Sequence, residues 1–413
     1  MVVLYNLFIL ILRLGMRLAA LGNPKARAGL RGRKDIFPAL AGFNPEGKPV
    51  VWVHSASTGE FEQAKPVIEA IRQAYPGHLV LGTFFSPSGY DAAKNYPGLD
   101  VRCYLPFDTA ANAKKLVAAV RPSLVIFSKY DFWYHHLRAV SKAGVPLLLI
   151  SAIFRPGQSF FQWFGGFQRI MLRRFRHLFV QDQTSIDLLH SRGIKQCSIS
   201  GDTRFDRVLA IRQNGTPIPL VAQFVSNSPV LVAGSSWPSD EHLLQQMHFD
   251  LKIIIAPHEI NDGHIAALQQ TFPKNVLHSE AAANPYLLKD AQVLIINNIG
   301  MLSRLYQYAT ITYVGGGFIP SGIHNTLEAA VWGKPVIFGP THEKFREAQG
   351  LIDAGAGYSI ANAADLQETM ERLLHNKAAL EAASVAAEQY VQENGGATER
   401  IMRYIQENRL LTN

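Results

Sequence analysis

The chain has 413 residues, of which 48% are hydrophobic, and this length favours two domains with separate cores over a single one. Its two cysteines, Cys103 and Cys197, lie far apart without a nearby pair of histidines. This argues against a disulfide framework or a zinc site and favours a reducing, cytosolic setting. The formal net charge of +8 favours anionic partners such as nucleotides, phosphates or acidic lipids, although a generally basic soluble surface would give the same value.

The amino-terminal segment, residues 1–34, is predicted to associate with a membrane. Residues 2–12 are almost wholly apolar, and basic residues follow them: Arg13, Arg17, Lys25, Arg27, Arg31, Arg33 and Lys34. The uncharged run is shorter than the ~20 residues that span a bilayer, and a secretory signal would carry its positive charges before the run. We therefore expect apolar insertion combined with attraction to an anionic membrane surface. An ordinary first helix packed on the protein is the alternative.

The first half of the chain reads as a Rossmann-like domain, residues 35–206. Short apolar runs recur at 50–53, 79–82, 124–127, 147–150 and 178–180, separated by helix-length intervals. Runs of this kind, bounded by turn residues, are typical of buried parallel strands in successive β-α units.

The same rhythm returns in a second domain, residues 230–395, after a predicted linker at 207–229 that contains Asn214, Gly215, Pro217 and Pro219. The second set of apolar runs lies at 230–233, 253–256, 293–296, 311–314 and 335–338. The chain reads as helix from residue 363 onward, and we expect residues 396–413 to form a helix that packs back on the first domain. Ligands of open parallel sheets bind beyond the carboxyl ends of the strands, so two such domains would face an interdomain cleft.

A glycine-rich loop after residues 311–314 is the strongest local signal for a nucleotide. It runs from Gly315 through Gly316 and Gly317 to a predicted helix near Asn325. Backbone amides of glycines and of a helix amino terminus can approach a phosphate, and Glu328 is placed to accept hydrogen bonds from a ribose. The spacing of Asn325 and Glu328 also fits a capping box, which leaves the role of Glu328 open.

Polar residues follow the first predicted strand and end in one carboxylate, Glu60. A carboxylate at the cleft can act as a general base that takes the proton of an attacking hydroxyl. In isolation, a Glu that begins a helix more often stabilises the helix dipole, and His54 is more often a core or supporting histidine.

Three weaker clusters also follow strand ends. Lys129 and Asp131 lie after residues 124–127, Arg204 could meet an anionic substrate or leaving group, and Pro257 and His258 follow residues 253–256. Because no pair of carboxylates or aspartate-rich motif typical of a metal-bound nucleotide sugar is evident, we expect metal-independent chemistry without a cofactor. No nucleic acid partner is expected.

Taken together, these motifs resemble the 3-deoxy-D-manno-octulosonic acid (Kdo) transferases of lipid A biosynthesis over nearly the whole chain. The most specific matches are residues 54–60, 83–89, 201–206 and 315–340. The resemblance implies a GT-B glycosyltransferase fold, CMP-Kdo as donor substrate and a lipid A precursor as acceptor. It also implies inverting transfer, in lipopolysaccharide synthesis, at the cytoplasmic face of a Gram-negative inner membrane.

The resemblance also implies roles for individual residues. Glu60 matches the family's catalytic base, and Asp131 and Arg204 fall in further motifs of the catalytic site. The nucleotide site would consist of Pro257, His258, Ile299, Gly300, Met301, Gly316, Gly317, Asn325, Thr326, Leu327 and Glu328.

The chain departs from the family pattern at several donor-site and cleft positions. Lys129 and Asp131 stand where the family usually has two Glu, and Arg204 where it has Lys. His258 stands where an Arg would be expected to hold the CMP phosphate, and Ser236-Trp237 replaces Thr-His. A GT-B enzyme that uses a UDP sugar and a non-catalytic, membrane-attached nucleotide-binding relative are the alternative functions.

Overall fold

The computed structural model describes residues 1–43 and 46–412 and contains two seven-stranded parallel sheets, one in each of two units of the chain. The first unit comprises Met1–Arg207 and Gly395–Asn413, and the second comprises Val208–Asn394. The two Rossmann-like sheets predicted from the apolar runs are confirmed.

The first sheet has the order β3-β2-β1-β4-β5-β6-β7, and its strands are β1 (Val50–Ser55), β2 (Leu79–Phe84), β3 (Val101–Tyr104), β4 (Leu124–Ser128), β5 (Leu147–Ala152), β6 (His177–Val180) and β7 (Cys197–Ile199). The second sheet has the order β10-β11-β9-β8-β12-β13-β14, and its strands are β8 (Val230–Ser236), β9 (Lys252–Pro257), β10 (Asn275–Leu277), β11 (Val293–Ile295), β12 (Ile311–Val314), β13 (Val336–Phe338) and β14 (Gly357–Ser359).

The helices up to the end of the first Rossmann-like fold are α1 (Val2–Gly22), α2 (Pro24–Gly32), α3 (Ile36–Ala41), α4 (Thr58–Ala74), α5 (Pro87–Ala92), α6 (Ala110–Val120), α7 (Tyr134–Lys142), α8 (Gly166–Leu172), α9 (Gln183–His190) and α10 (Thr203–Gln213). The remaining helices are α11 (Pro219–Val225), α12 (Pro238–Gln245), α13 (Asp262–Thr271), α14 (His278–Ala283), α15 (Leu302–Leu305), α16 (Leu327–Ala330), α17 (Arg346–Asp353), α18 (Ala363–His375), α19 (Lys377–Glu393) and α20 (Ala397–Glu407). Short 3-10 turns occur at Ser159–Phe161, Pro285–Leu288 and Tyr306–Tyr308.

The central strands are buried on both faces, which explains why they read as continuous apolar runs. Along β1, Val50 and Trp52 pack in one core while Val51 and Val53 pack in the core on the opposite face of the sheet. The four strands that the sequence did not predict, β3, β7, β10 and β14, are the outermost strands of the two sheets. Edge strands are short and partly exposed, so they lack the apolar run that marks a central strand.

The region predicted as an irregular linker, 207–229, contains the end of α10 and the whole of α11. Helix α20 packs on α4, with Ile401 and Ile405 in the same core as Phe61. The backbone N–H groups of Gly396 and Thr398 each donate to the Asp206 carboxylate over 2.6 Å. Asp206, in the motif at 201–206, therefore caps the carboxy-terminal helix of the first unit.

Each sheet has a switch point, where strands next to each other in the sheet are followed by connections that run in opposite directions. In the first sheet it lies between β1 and β4, and in the second between β8 and β12. Open α/β sheets bind ligands beyond the carboxyl ends of the strands at this point. The residues after these four strands are therefore the first place to look for a site.

Candidate active site

Glu60 lies beyond the carboxyl end of β1, at the switch point of the first sheet. It is in the first turn of α4, for which Ser57 is the N-cap residue, and its side chain is partly buried. The Ser57 hydroxyl donates a hydrogen bond to the Glu60 carboxylate. The helix amino terminus favours a negative charge here, and the Ser57 contact fixes the orientation of the carboxylate.

A chain of buried side chains connects β1 to the loop after β4. The indole N–H of Trp52 donates to Thr83 Oγ1 over 2.7 Å, and Thr83 Oγ1 lies 2.9 Å from His54 Nδ1. His54 Nε2 lies 2.6 Å from Asp131 Oδ2. If the Thr83 hydroxyl donates to Nδ1, then neutral His54 carries its proton on Nε2 and donates it to Asp131.

His54 and Asp131 therefore form a pair at the same switch point as Glu60. The His54 side chain is fully buried, whereas Asp131 keeps 18% of its side-chain surface exposed. Sequence reasoning treated His54 as a supporting histidine and did not connect it to Asp131. The connection follows from the pairing of β1 with β4, which brings residues that are 77 positions apart side by side.

Arg204 is held by a neighbouring carboxylate. Its Nε and Nη2 lie 2.9 Å and 2.8 Å from Asp202 Oδ2, and its backbone N–H donates to Asp202 Oδ1. Burial opposes ionisation of Asp202, but Arg204 and the side-chain amide of Gln63 outweigh burial and lower the pKa of Asp202 below its ordinary value. Asp202 therefore already neutralises the positive charge of Arg204, which was expected to meet an anionic substrate or leaving group.

In the second unit, a cavity of about 160 Å³ opens beyond the carboxyl ends of β8, β9 and β11. Among the predicted nucleotide contacts, Pro257, His258, Ile299 and Gly300 line it. Met301 follows directly and begins α15 as its N-cap residue. Ile299 is 91% exposed, which leaves a large apolar side chain at the edge of a polar loop.

Three aromatic rings stack in a row beside this cavity. The ring centroids of Trp237 and His258 are 4.8 Å apart, and those of His258 and His324 are 4.2 Å apart. The indole N–H of Trp237 also donates to His324 Nε2 over 3.2 Å. Burial, and secondarily the proximity of His258, lowers the pKa of His324 to about 4, so His324 is neutral near neutral pH and accepts this bond through Nε2.

The glycine run after β12 is packed against other backbone segments. The N–H of Gly315 donates to Gly234 O, and that of Gly316 donates to the Asp240 carboxylate over 2.9 Å. A side chain at Gly317 would collide with the backbone of Gly339, because a Cβ atom on Gly317 would lie 2.4 Å from the Cα atom of Gly339. The N–H groups of Gly315 and Gly316 therefore already have partners, and a phosphate contact of this glycine run stays a prediction.

Asp240 organises this loop and was missed by sequence reasoning. It is fully buried in α12 and accepts hydrogen bonds from the Tyr313 hydroxyl, the Trp237 N–H and the Gly316 N–H. Burial raises the pKa of Asp240 even though these donors oppose the shift. The available signal was its position in the first turn of the helix that follows β8, at the second switch point.

Helix α16, which contains Glu328, begins one residue later than predicted. The N-cap residue is Thr326, not Asn325, and α16 is a single turn that begins at Leu327. The Asn325 side-chain amide donates to Glu328 Oε1 over 3.1 Å, and Asn325 Oδ1 accepts from the Leu327 N–H. Among the described residues, the buried Thr326 hydroxyl has no hydrogen-bond partner.

Helix α1 is bound to the first unit along one side and exposed along the other. The Tyr5 hydroxyl donates to Asp108 Oδ2 over 2.5 Å, the side chains of Asn6 and His135 are hydrogen-bonded over 2.7 Å, and Ile9 is buried. The exposed side includes Leu7 (50%), Leu14 (48%), Leu18 (70%) and Leu21 (79%). The helix continues past the apolar run to Gly22, and in length and composition it could cross a bilayer. It is consistent with membrane association.

Within residues 1–43 and 46–412, no group of three His, Cys, Asp or Glu side chains is arranged to hold a metal ion.

Comparison with known proteins gives consistent matches. A family model described as 3-deoxy-D-manno-octulosonic-acid transferase matches residues 28–207. The chain is 26% identical to the 3-deoxy-D-manno-octulosonic acid transferase of Aquifex aeolicus, over 83% of this chain and 91% of that protein. It is 27% identical to the enzyme of the same name from Chlamydia trachomatis, over 80% of this chain and 79% of that protein.

Solved structures of similar fold include two UDP-GlcNAc 2-epimerases. The Neisseria meningitidis enzyme has a TM-score of 0.63 and 15% identity, covering 87% of this chain and 100% of that structure. The Methanocaldococcus jannaschii enzyme has a TM-score of 0.55 and 15% identity, covering 86% and 99%. At this identity the likeness concerns the fold alone.

Proposed function

The chain is a glycosyltransferase of the 3-deoxy-D-manno-octulosonic acid (Kdo) transferase family, and from this premise we propose that it moves Kdo from CMP-Kdo onto a lipid A precursor of the lipid IVA type. The observation that carries the proposal is the position of Glu60. Its carboxylate lies at the switch point of the first sheet, in the first turn of α4, held by Ser57.

In the proposed reaction Glu60 is the general base. A hydroxyl oxygen of the acceptor attacks the anomeric carbon of Kdo while Glu60 takes the hydroxyl proton. The bond between the anomeric carbon and the phosphate oxygen breaks, and CMP leaves with the electron pair. Attack from the face opposite to CMP inverts the configuration at that carbon.

Asp131 and Arg204 have supporting roles in this proposal. The hydrogen bond to His54 orients the Asp131 carboxylate beside the same strand ends as Glu60. The ion pair with Asp202 fixes the motif at 201–206, where α10 begins, so we assign Arg204 to positioning rather than to direct contact with a leaving group.

We propose that the second unit binds the donor. The cavity beside Pro257, His258, Ile299 and Gly300 has about the size of a single ring and would take the base. Met301, Gly316 and Gly317 shape the surrounding loops. The ribose and phosphate would lie along Asn325, Thr326, Leu327 and Glu328, with the Glu328 carboxylate accepting from a ribose hydroxyl.

The departures from the family pattern bear on the phosphate. His258, stacked between Trp237 and His324, stands where the family has an Arg. A histidine carries a full positive charge only below its pKa, so we expect donor binding in this chain to rest less on charge and more on ring contacts.

The exposed side of helix α1 supports the proposal that the acceptor is bound in a membrane. Its exposed leucines can insert among acyl chains while Tyr5 and Asn6 keep the helix on the first unit. We propose that the enzyme works at the cytoplasmic face of a Gram-negative inner membrane, and that transfer needs neither a metal ion nor a cofactor. A chelator should then leave the rate unchanged.

The test is a reaction of the purified full-length protein with CMP-Kdo and lipid IVA in detergent, followed by mass spectrometry. The expected product is the acceptor with one or more Kdo residues added. If no product forms and UDP, but not CMP, raises the melting temperature, the donor is a UDP sugar. If neither nucleotide is bound, both enzymatic assignments fail.

A further inference from the structure

The positive charge of this protein is concentrated at its amino terminus. Residues 1–34 contain seven Lys or Arg and no Asp or Glu, out of 40 and 32 in the whole chain. The remaining residues hold 33 basic and 32 acidic side chains and are nearly neutral. The net charge of +8 is thus almost entirely a property of the segment that forms α1 and α2.

The structure gathers most of these cations around one pocket. The pocket has a volume of about 670 Å³ and lies between α1, α2 and the chain after β3. Its charged lining consists of Arg13, Arg17, Arg27, Arg31, Arg33 and Lys34, and no acidic side chain lines it. The volume is within the range of about 300 to 1,000 Å³ that is typical of ligand sites.

The cations of the pocket are not neutralised by carboxylates. In the described part of the chain, none of these six side chains forms an ion pair with a nitrogen atom within 4.0 Å of a carboxylate oxygen. Arg27 donates to the carbonyls of Ala20 and Leu21, and Arg33 donates to those of Gly29, Phe85 and Leu105. Carbonyl partners hold these guanidinium groups in place without removing their charge.

Burial lowers the pKa of Arg33 to about 10, although the electrostatic effects of Tyr104 and Asp131 oppose this shift. Like charges around one pocket repel, and an anion bound between them would offset that cost. Guanidinium groups bind phosphate through paired, charge-assisted hydrogen bonds, so a phosphate group is the anion that this set of side chains fits best.

The surroundings of the pocket indicate that the phosphate belongs to a lipid. Arg13 and Arg17 face the pocket, whereas Leu14 and Leu18 of the same helix turns are 48% and 70% exposed. A group held by the arginines would therefore lie at the depth of lipid head groups when the leucines are inserted. A nucleic acid bound at the pocket would not bury the exposed leucines of α1.

The pocket also lies at the catalytic edge of the first sheet. Pro106 and Phe107, in its wall, follow β3, and Phe85, which accepts from Arg33, follows β2. Glu60 follows β1, and the strand order is β3-β2-β1. Two strand spacings, or about 10 Å, separate the ends of β3 and β1.

We propose that this pocket binds a phosphate group of the acceptor lipid and thereby sets the position of the acceptor sugar relative to Glu60. This assignment rests on the proposed function. The same phosphate chemistry is available from ordinary anionic phospholipids. The experiment must therefore compare the two sources at equal surface charge.

The test uses two double variants of the full-length protein. Arg17→Gln/Arg31→Gln removes two exposed cations of the pocket, and Arg33 is left intact because it holds three carbonyls. The matched control, Lys25→Gln/Lys94→Gln, removes two exposed cations that do not line the pocket, one of them on α2 itself. Binding is measured by flotation with phosphatidylcholine vesicles that carry lipid IVA, dephosphorylated lipid IVA, or phosphatidylglycerol at the charge of the lipid IVA vesicles.

The wild type and the control variant should bind lipid IVA vesicles at least about tenfold more tightly than either comparison vesicle, since each lost charge-assisted contact is expected to weaken binding several-fold. The pocket variant should lose this preference and keep the weaker binding common to all vesicles. Equal affinity of the wild type for phosphatidylglycerol and lipid IVA vesicles would overturn the proposal. An equal loss in both double variants would also overturn it, because it would indicate diffuse surface attraction.

Transfer of Kdo is measured separately in detergent. If the wild type transfers Kdo but shows no preference for the phosphorylated acceptor, the pocket assignment fails and the proposed function stands. If the preference is present but no Kdo is transferred from CMP-Kdo, the proposed function fails and the pocket remains a lipid phosphate site.

Discussion

The replacement Glu60→Gln tests the proposed mechanism most directly. The amide has nearly the shape of the carboxylate, and its oxygen can still accept the hydrogen bond from Ser57. It cannot take a proton at neutral pH. We therefore expect the variant to fold and bind CMP while its rate of Kdo transfer falls by a factor of about 10² to 10⁴.

The expected magnitudes separate a catalytic effect from a structural one. The loss of rate corresponds to about 3 to 5 kcal/mol of activation free energy. Removal of a negative charge from the first turn of α4 should lower the free energy of unfolding by only about 0.3 to 1 kcal/mol. A catalytic role therefore predicts a rate defect several times larger, in free energy, than the stability defect.

The assay is transfer from CMP-Kdo to lipid IVA under initial-rate conditions, with urea unfolding of the same preparations. Glu69→Gln is the matched control, because Glu69 lies two to three turns further along α4 and contacts Tyr96 and Arg207. The control should lose little activity. Near-wild-type transfer by Glu60→Gln, or equal rate losses in the two variants, would refute the role of Glu60 as the base.

Three further predictions follow from other parts of the structure. If Glu328 contacts a ribose, Glu328→Gln should weaken CMP binding in calorimetry with little change in stability; a purely structural role predicts the reverse, with about 0.5 to 2 kcal/mol lost from the free energy of unfolding. Leu7→Gln/Leu18→Gln changes only the exposed side of α1 and keeps the Tyr5–Asp108 contact. It should release the protein from vesicles in flotation while leaving transfer to detergent-solubilised acceptor intact, and unchanged flotation would contradict insertion of this side. Burial would lower the pKa of His264, but Glu241 outweighs burial and raises it. The resulting stabilisation should be complete below the unfolded-state pKa of about 6.5 and lost as pH rises through the folded-state pKa; His264→Gln should flatten this slope in chemical unfolding.

The central architecture could be read from the sequence because of how parallel sheets are buried. Strands covered on both faces need apolar residues at successive positions, and this pattern predicted β1, β2, β4, β5 and β6 and their counterparts in the second sheet. The same logic failed at the edges, where exposed backbone and side chains remove the pattern.

The candidate site was partly readable for a related reason. Polar residues that directly follow a central strand lie at the edge of the sheet formed by the carboxyl ends of the strands. Glu60, Asp131 and His258 could therefore be selected from local sequence. The apolar run followed by basic residues predicted a membrane-associating segment, and the exposed apolar side of α1 is consistent with that prediction.

Only the tertiary structure decided which of these groups already have partners. Asp240 occupies the amide of Gly316, which lies 76 residues away along the chain, and Asp131 is paired with His54, which lies 77 residues away. Sequence spacing gives no measure of such contacts, because they depend on which loops the strand order brings together. The same reason applies at the amino terminus, where basic residues that the sequence shows as a dispersed string are brought by the packing of α1 and α2 on the first sheet around a single pocket.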